Sequence, residues 1–163
     1  MKDYFDKLDE DSRRLVIRGD IKQWNQMLAE TAHQAGIIEN EVFARFQNAG
    51  YMGLYGGETV EDIHKRKKLK PKEKILDFMN SSELAANLFR ITLADEKIKK
   101  ESLYTPLEAT AAHSVVGQNV REAIIKSGGV LPEAQPTPEK SVEQIAQEHI
   151  KILKKKKKLM LDE

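Results

Sequence analysis

Phe46-Gln-Asn-Ala-Gly-Tyr-Met-Gly-Leu-Tyr-Gly-Gly57 carries four of the chain's nine glycines and two of its four tyrosines. Glycine lets the backbone take positive φ and lets another surface come close. Tyrosine adds rigid apolar area with a polar tip. The flanks read as charged amphipathic helix, so the way this stretch folds decides how the helices are joined. Read locally, a helix over 39–48 turns Val42, Phe43 and Phe46 inward and ends at Asn48-Ala49-Gly50. Residues 50–57 then form a loop. Two uses of that loop stay open: a tight turn with Tyr51 and Tyr55 on the core, or a partner-contact site. It is no phosphate loop, because Gly50-x-x-Gly53-x-x-Gly56-Gly57 lacks the lysine and Ser/Thr of a Walker motif and no strand precedes it.

Working outward, the pattern is helical on both sides. Residues 9–35 place Ile17, Ile21, Trp24, Leu28 and Ala32 at helical spacing. Asp9 or Asp11 is the expected cap, Gly19 a point where the helix bends or splits, and Gly36 its C-terminal stop. After the glycine stretch, Thr59 starts a short helix through Ile63 to about 67, and Pro71 separates it from residues 72–79. Ser81 or Ser82 is expected to cap a helix to about 100, with Leu84, Leu88, Ile91 and Ile98 inward and Ala85 and Phe89 widening the stripe. Asn87 sits mid-helix among apolar positions, which predicts a buried hydrogen bond to the glycine stretch. Thr105-Pro106-Leu107-Glu108 places a cap, a proline at the first helical position and a glutamate at the third. That helix runs to Lys126 and stops at Gly128-Gly129. Pro132, Pro136 and Pro138 then predict a stiff, extended linker over 131–140. A last helix starts at Ser141, with Val142, Ile145, His149 and Ile152 on one stripe, and ends in lysines.

The chain is therefore expected to be all-α: a bundle-like domain of about six helices over 1–130, the linker over 131–140, and an amphipathic helix with a lysine-rich tail over 141–163. At 163 residues it is long enough for one domain with a real core. Aromatics at 6% argue against a sandwich or barrel. With no cysteine, disulfides, thiolate metal sites and cysteine nucleophiles are excluded. An acidic N-terminus without an apolar core is no signal peptide, and no run reaches the roughly 18–20 apolar residues of a membrane span. The expectation is a cytoplasmic protein without membrane contact.

Catalytic patterns are weak. His33, His64, His113 and His149 never fall at i, i+3 or i, i+4, so no helical metal site is encoded locally. His113 and Ser114 are adjacent, and neighbours on a helix do not face each other. No enzymatic activity, cofactor or metal is expected. Charge is uneven although the net charge is only +1. Acids crowd residues 3–11. Lys65, Arg66, Lys67, Lys68, Lys70, Lys72 and Lys74 form one basic run, and Lys151 with Lys154–Lys158 forms another. A solvated face is one reading of these runs. A phosphate-binding surface is the other, with Lys65, Lys68, Lys70, Lys72 and Lys74 as its candidates.

Phe46-Gln-Asn-x-Gly-Tyr-x-Gly-Leu-Tyr-Gly-Gly57, Ile63-His-x-Arg-Lys67, Lys74-Ile-Leu-Asp77, Ser82-Glu-Leu-Ala-Ala-Asn-Leu-Phe-Arg90, Val120-Arg121 and Gly128-Gly-x-x-Pro-Glu133, followed by Pro136-Thr-Pro138, occur in that order. As an ordered set over roughly 5–150 they resemble the C-terminal half of the bacterial DNA-damage-inducible protein D family. The resemblance implies a role in the SOS response, modulating the RecA recombinase by hindering filament growth on single-stranded DNA and inhibiting strand exchange. It also implies that longer members carry an N-terminal antirepressor-like domain absent from this chain. It carries over no catalytic residue. The motif positions become a candidate contact surface of Tyr51, Gly53, Leu54, Tyr55, Gly56, Gly57, His64, Arg66, Lys67, Asn87 and Arg90. The implied partner is RecA or its filament on single-stranded DNA. The alternatives are a DNA-binding module built on the basic runs, or a structural or dimerising half serving a missing domain, with a homodimer as its form.

Overall fold

The stretch that reads as a loop is mostly helix. The computed structural model describes residues 2–162, with residues 2–5 and 8 as backbone only. In it α2 runs over Asn40–Leu54 and therefore continues through Gly50, Tyr51 and Gly53. Met1 and Glu163, the outer limits of the expected 1–130 and 141–163 ranges, lie outside the described residues. The expected stop at Asn48-Ala49-Gly50 is corrected by packing. Glycine inside a helix costs about 1 kcal/mol relative to alanine, but here it lets a second helix come within backbone contact. A Cβ on Gly53 would sit 2.4 Å from the Ser114 carbonyl oxygen, and one on Gly50 only 2.2 Å from His113 Nε2. The turn proper is Tyr55-Gly56-Gly57, with φ +65° and +108° at the two glycines. The Gly57 N–H closes back on the Met52 carbonyl at 2.7 Å, the hydrogen bond of a left-handed helix end.

Six α-helices build the chain, with no strand among the described residues: α1 Lys2–Gln34, α2 Asn40–Leu54, α3 Val60–Arg66, α4 Ser81–Lys100, α5 Pro106–Lys126 and α6 Val142–Leu161. Short 3₁₀ turns occupy Ile75–Phe78 and Pro132–Ala134. The most extensive pairings are α2 with α5 and α1 with α4. Between them lies the core, where Ile21, Phe46, Leu54, Ile63, Leu84, Ile91 and Ile98 are fully buried.

Locally encoded ends are where the sequence predicts them. Thr59, Thr105 and Ser141 each cap a helix by accepting the N–H three residues on, and Gly36 takes φ +88° after α1. Other expectations are corrected. α1 begins at Lys2 rather than 9, so Asp9 and Asp11 lie inside it, pairing with Arg13 and Arg14. Gly19 does not split that helix, which runs unbroken through it. Asn80, not Ser81 or Ser82, caps α4 through Oδ1 at 2.9 Å from the Glu83 N–H. Ser81 is instead held by the Glu10 carboxylate at 2.7 and 2.6 Å. Phe89 is 51% exposed and Ala85 also faces out, because α4 turns Asn87 and Arg90 inward instead.

Residues 131–140 are extended but docked. Pro132 is buried, Arg121 grips Glu133 at 2.9 and 2.7 Å, and the Lys140 carbonyl accepts from Arg14 at 2.9 Å. α6 then packs only its first turns. Val142 and Ile145 are buried, His149 is half-buried, and Ile152 is exposed, so the predicted stripe ends early. From Ile150 to Leu161 every residue is exposed.

Candidate functional site

The residues singled out by sequence separate into an interior and a surface. Tyr51, Gly53, Leu54, Tyr55, Lys67, Asn87 and Arg90 are buried. A contact face drawn from the original set is therefore exposed only at Gly56 and Gly57, with His64 and Arg66 partly so.

The buried members form one hydrogen-bonded chain across the core. Lys67 Nζ donates to Glu83 Oε1 at 2.8 Å and to the Phe78 carbonyl at 3.1 Å. The Tyr55 hydroxyl donates to Glu83 Oε2 at 2.6 Å. Asn87 Nδ2 donates to the Tyr55 hydroxyl at 3.0 Å, the bond to the glycine stretch that the mid-helix asparagine predicts. Asn87 Oδ1 accepts from Arg90 at 3.1 Å, and the Arg90 guanidinium lies 4.4 Å over the Tyr51 ring. Its other end meets His113 Nε2 at 2.7 Å, while His113 Nδ1 faces the Phe46 carbonyl at 2.8 Å. Because Arg90 has only donors to offer, Nε2 must accept, which assigns the proton to Nδ1 and leaves the imidazole neutral.

Electrostatics follow from burial. Burial pushes Glu83 above its ordinary value, opposed by the Lys67 ammonium. It drives the Tyr55 phenol well up, with the Glu83 charge adding to the effect. It lowers His113 to about 3, helped by the Arg90 charge. This last shift sets a pH dependence. Between an unfolded value near 6.5 and the folded value of about 3, the unfolded chain binds a proton the folded one refuses. Stability is therefore complete above about pH 6.5 and falls with acid by up to about 1.4 kcal/mol per unit from this residue. Denaturant melts from pH 7 to 4 measure it. A His113→Gln variant, whatever its starting stability, should show a shallower acid slope, and an unchanged slope would reject the assignment.

Sequence reasoning missed Glu83, Met79, whose sulfur lies 3.9 Å from the Tyr55 hydroxyl, His113, and Gly117, whose Cβ position lies 2.5 Å from the Gly50 carbonyl oxygen, as parts of this interior. A signal existed for the last two. Ala109, Ala112, His113, Val116, Gly117 and Val120 share one helical face of small and apolar residues, which marks the face another helix approaches. Lys67 reads as part of a basic run, yet it lies four residues after Ile63, at the C-cap of α3, with its side chain buried.

On the outside, Lys65, Lys68, Lys70, Lys72 and Lys74 are all exposed. Their loop is held from within. His64 Nε2 lies 2.9 Å from the Lys70 carbonyl and 3.0 Å from that of Glu73, and Glu73 Oε1 accepts the Lys70 N–H at 2.6 Å. Arg66 pairs with Glu58 at 2.9 Å. An open apolar groove of about 450 Å³ runs between α4, α5 and the docked segment, lined by Ala85, Phe89, Ile124 and Val130. Among the described residues no three His, Asp or Glu side chains come together as a metal set, and no helix is long and apolar enough to cross a membrane.

These features define a helical domain with a charged hydrogen-bond network at its centre and basic and apolar surfaces outside. Its family is shown by comparison: the DinD C-terminal domain model matches residues 8–145, and the chain belongs to that family. DNA damage-inducible protein D of Escherichia coli (strain K12) is 47% identical over 152 residues. The match covers 93% of this chain and 55% of the relative, so the chain spans about half of the relative's length. No solved structure matches the chain.

Proposed function

We propose that this chain serves in the DNA-damage response as a protein that modulates the RecA recombinase, acting by contact rather than by catalysis. The name of the Escherichia coli relative supports the damage response. RecA enters through the family resemblance carried by the ordered motifs. The observation that carries a contact role is the outer half of α6. Ile150, Ile152, Leu153, Leu159, Met160 and Leu161 are 51–78% exposed there, interleaved with lysines. A helix presenting apolar anchors in this way is the usual form in which a segment docks into a partner's groove.

Strand-exchange inhibition tests the proposal. The wild-type chain is expected to slow RecA-mediated exchange. Leu153→Glu, on a side chain 65% exposed, should weaken inhibition about tenfold, the loss of one anchoring contact worth about 1.4 kcal/mol. Its melting temperature should stay unchanged. A wild-type chain that leaves exchange untouched rejects the function. A variant that inhibits fully rejects the role of α6.

A further inference from the structure

We propose that Lys156 sets the specificity of the α6 contact, and that the groove receiving it carries a carboxylate at the centre of an otherwise apolar floor. This rests on the docking of α6 proposed above and names the chemistry of the surface that accepts it.

On a helix the neighbours of a side chain are those three and four positions away. For Lys156 these are Ile152, Leu153, Leu159 and Met160, all apolar and all exposed. Among Lys151 and Lys154–Lys158 it alone has four apolar neighbours. Lys157 has three and meets Lys154 on the remaining side. Lys156 is also in line with the packed half of the helix. Val142 and His149 precede it by fourteen and seven residues, and a seven-residue step returns to nearly the same side. Val142 and Ile145 are buried and His149 is half-buried, against α1 and the Ile75–Phe78 turn. The face that grips the body in the first turns therefore continues outward as the face centred on Lys156. Lys151, Lys154 and Lys158 fall about 140–160° round the helix from it.

A lysine ringed by apolar side chains costs nothing while water reaches it. Once the patch is covered, its ammonium loses hydration, and only an anion in contact offsets that loss. α6 supplies none, because no acid lies between Glu148 and Asp162. Among the described residues the ion-paired lysines are Lys67, Lys97, Lys99 and Lys140. The partner must bring the carboxylate. A wholly apolar groove then rejects the helix and a groove with an acid opposite Lys156 accepts it, which is how an unpaired charge excludes wrong partners. The interior of this chain meets the same demand in the same way, where Glu83 holds the buried Lys67 at 2.8 Å. The four-carbon stem of Lys156 can lie along the apolar floor while its head reaches the acid.

Inhibition of RecA-mediated strand exchange by the full chain and its single variants tests the inference. Lys156→Met should weaken inhibition about thirtyfold or more, the low end of the loss when one partner of a desolvated charge pair is removed. Lys154→Met and Lys158→Met, on the far side, should each change it less than about threefold, as solvent-exposed charges do. Lys156→Arg keeps the charge and should recover most of the loss. All three positions are exposed, so melting temperatures should not move. A Lys156→Met variant within about threefold of the wild type, or a better inhibitor, means a wholly apolar floor. It overturns this inference and leaves the docking of α6 standing. Equal losses at Lys154, Lys156 and Lys158 with a steep salt dependence mean phosphate or a diffuse acidic surface, and overturn it too. A Lys156→Arg variant as weak as Lys156→Met makes shape the cause and does the same. A wild-type chain that leaves exchange untouched removes the docking reading and this inference together.

Discussion

Replacing Lys67 with methionine is expected to lower the unfolding free energy by about 3–5 kcal/mol, the cost of leaving a buried charge without its partner. The methionine fills similar space, so little of the loss is a cavity. What it removes is, among the described residues, the only cation bonded to the Glu83 carboxylate, itself fully buried, and the donor to the Phe78 carbonyl. The effect has a pH signature. Burial already raises Glu83 above its ordinary value, and losing Lys67 raises it further. The folded variant then holds a proton that the unfolded chain has released, so its stability falls as pH rises above the ordinary glutamate value near 4.3. Urea melts at pH 5 and pH 8 should show the larger deficit at pH 8. Adding Glu83→Gln should restore most of the loss, because the amide oxygen still accepts from Tyr55. A loss below about 1 kcal/mol, or one that grows toward acid, contradicts the pairing.

Gly117→Ala should be nearly as damaging for a different reason. Its new Cβ would lie 2.5 Å from the Gly50 carbonyl oxygen and 2.9 Å from the Leu54 nitrogen. Both are backbone atoms in the C-terminal turns of α2, so neither can swing aside. The two helices must separate, which loosens the Phe46–His113 ring contact, 4.5 Å between centroids, and the Arg90 bond beyond it. Overpacking of this kind costs about 3 kcal/mol, a fall of about 6–12 °C in melting temperature for a chain of this size. Gly19→Ala is the opposite case. No atom lies within 4 Å of its Cβ position and the residue is exposed on α1. It should stabilise by up to about 1 kcal/mol through helix propensity alone. Calorimetry on the two variants gives opposite signs if the glycines have the roles described, and equal shifts would refute the difference.

The legible parts of this fold are those whose causes are local. Thr105-Pro106-x-Glu108 starts α5 because the cap, the proline and the glutamate act within one turn. Ser141 with Gln144 starts α6, and Gly36 ends α1, on the same terms. The apolar positions Ile21, Leu28 and Ala32 are buried as their spacing predicts. Asn87 was legible as an oddity, since an asparagine amid apolar positions demands partners. What stayed hidden depends on residues far along the chain. Gly50 and Gly53 look like helix breakers until α5 lies against them. Phe89 looks like core until Arg90 takes the inward place. Ile152 fits the stripe of α6, but the body it would pack against ends a turn earlier.

The sequence by itself determined the helical class, most helix ends and the family, because capping, periodicity and ordered motifs are properties of neighbours in the chain. Only the tertiary structure decided that the glycine stretch is a helix in contact with α5. It alone turned Lys67 away from its basic neighbours into a buried pair with Glu83. Those outcomes turn on what lies within a few ångströms across the fold. A backbone clash and the desolvation of a charge are set by distance in space, which spacing along the chain does not encode.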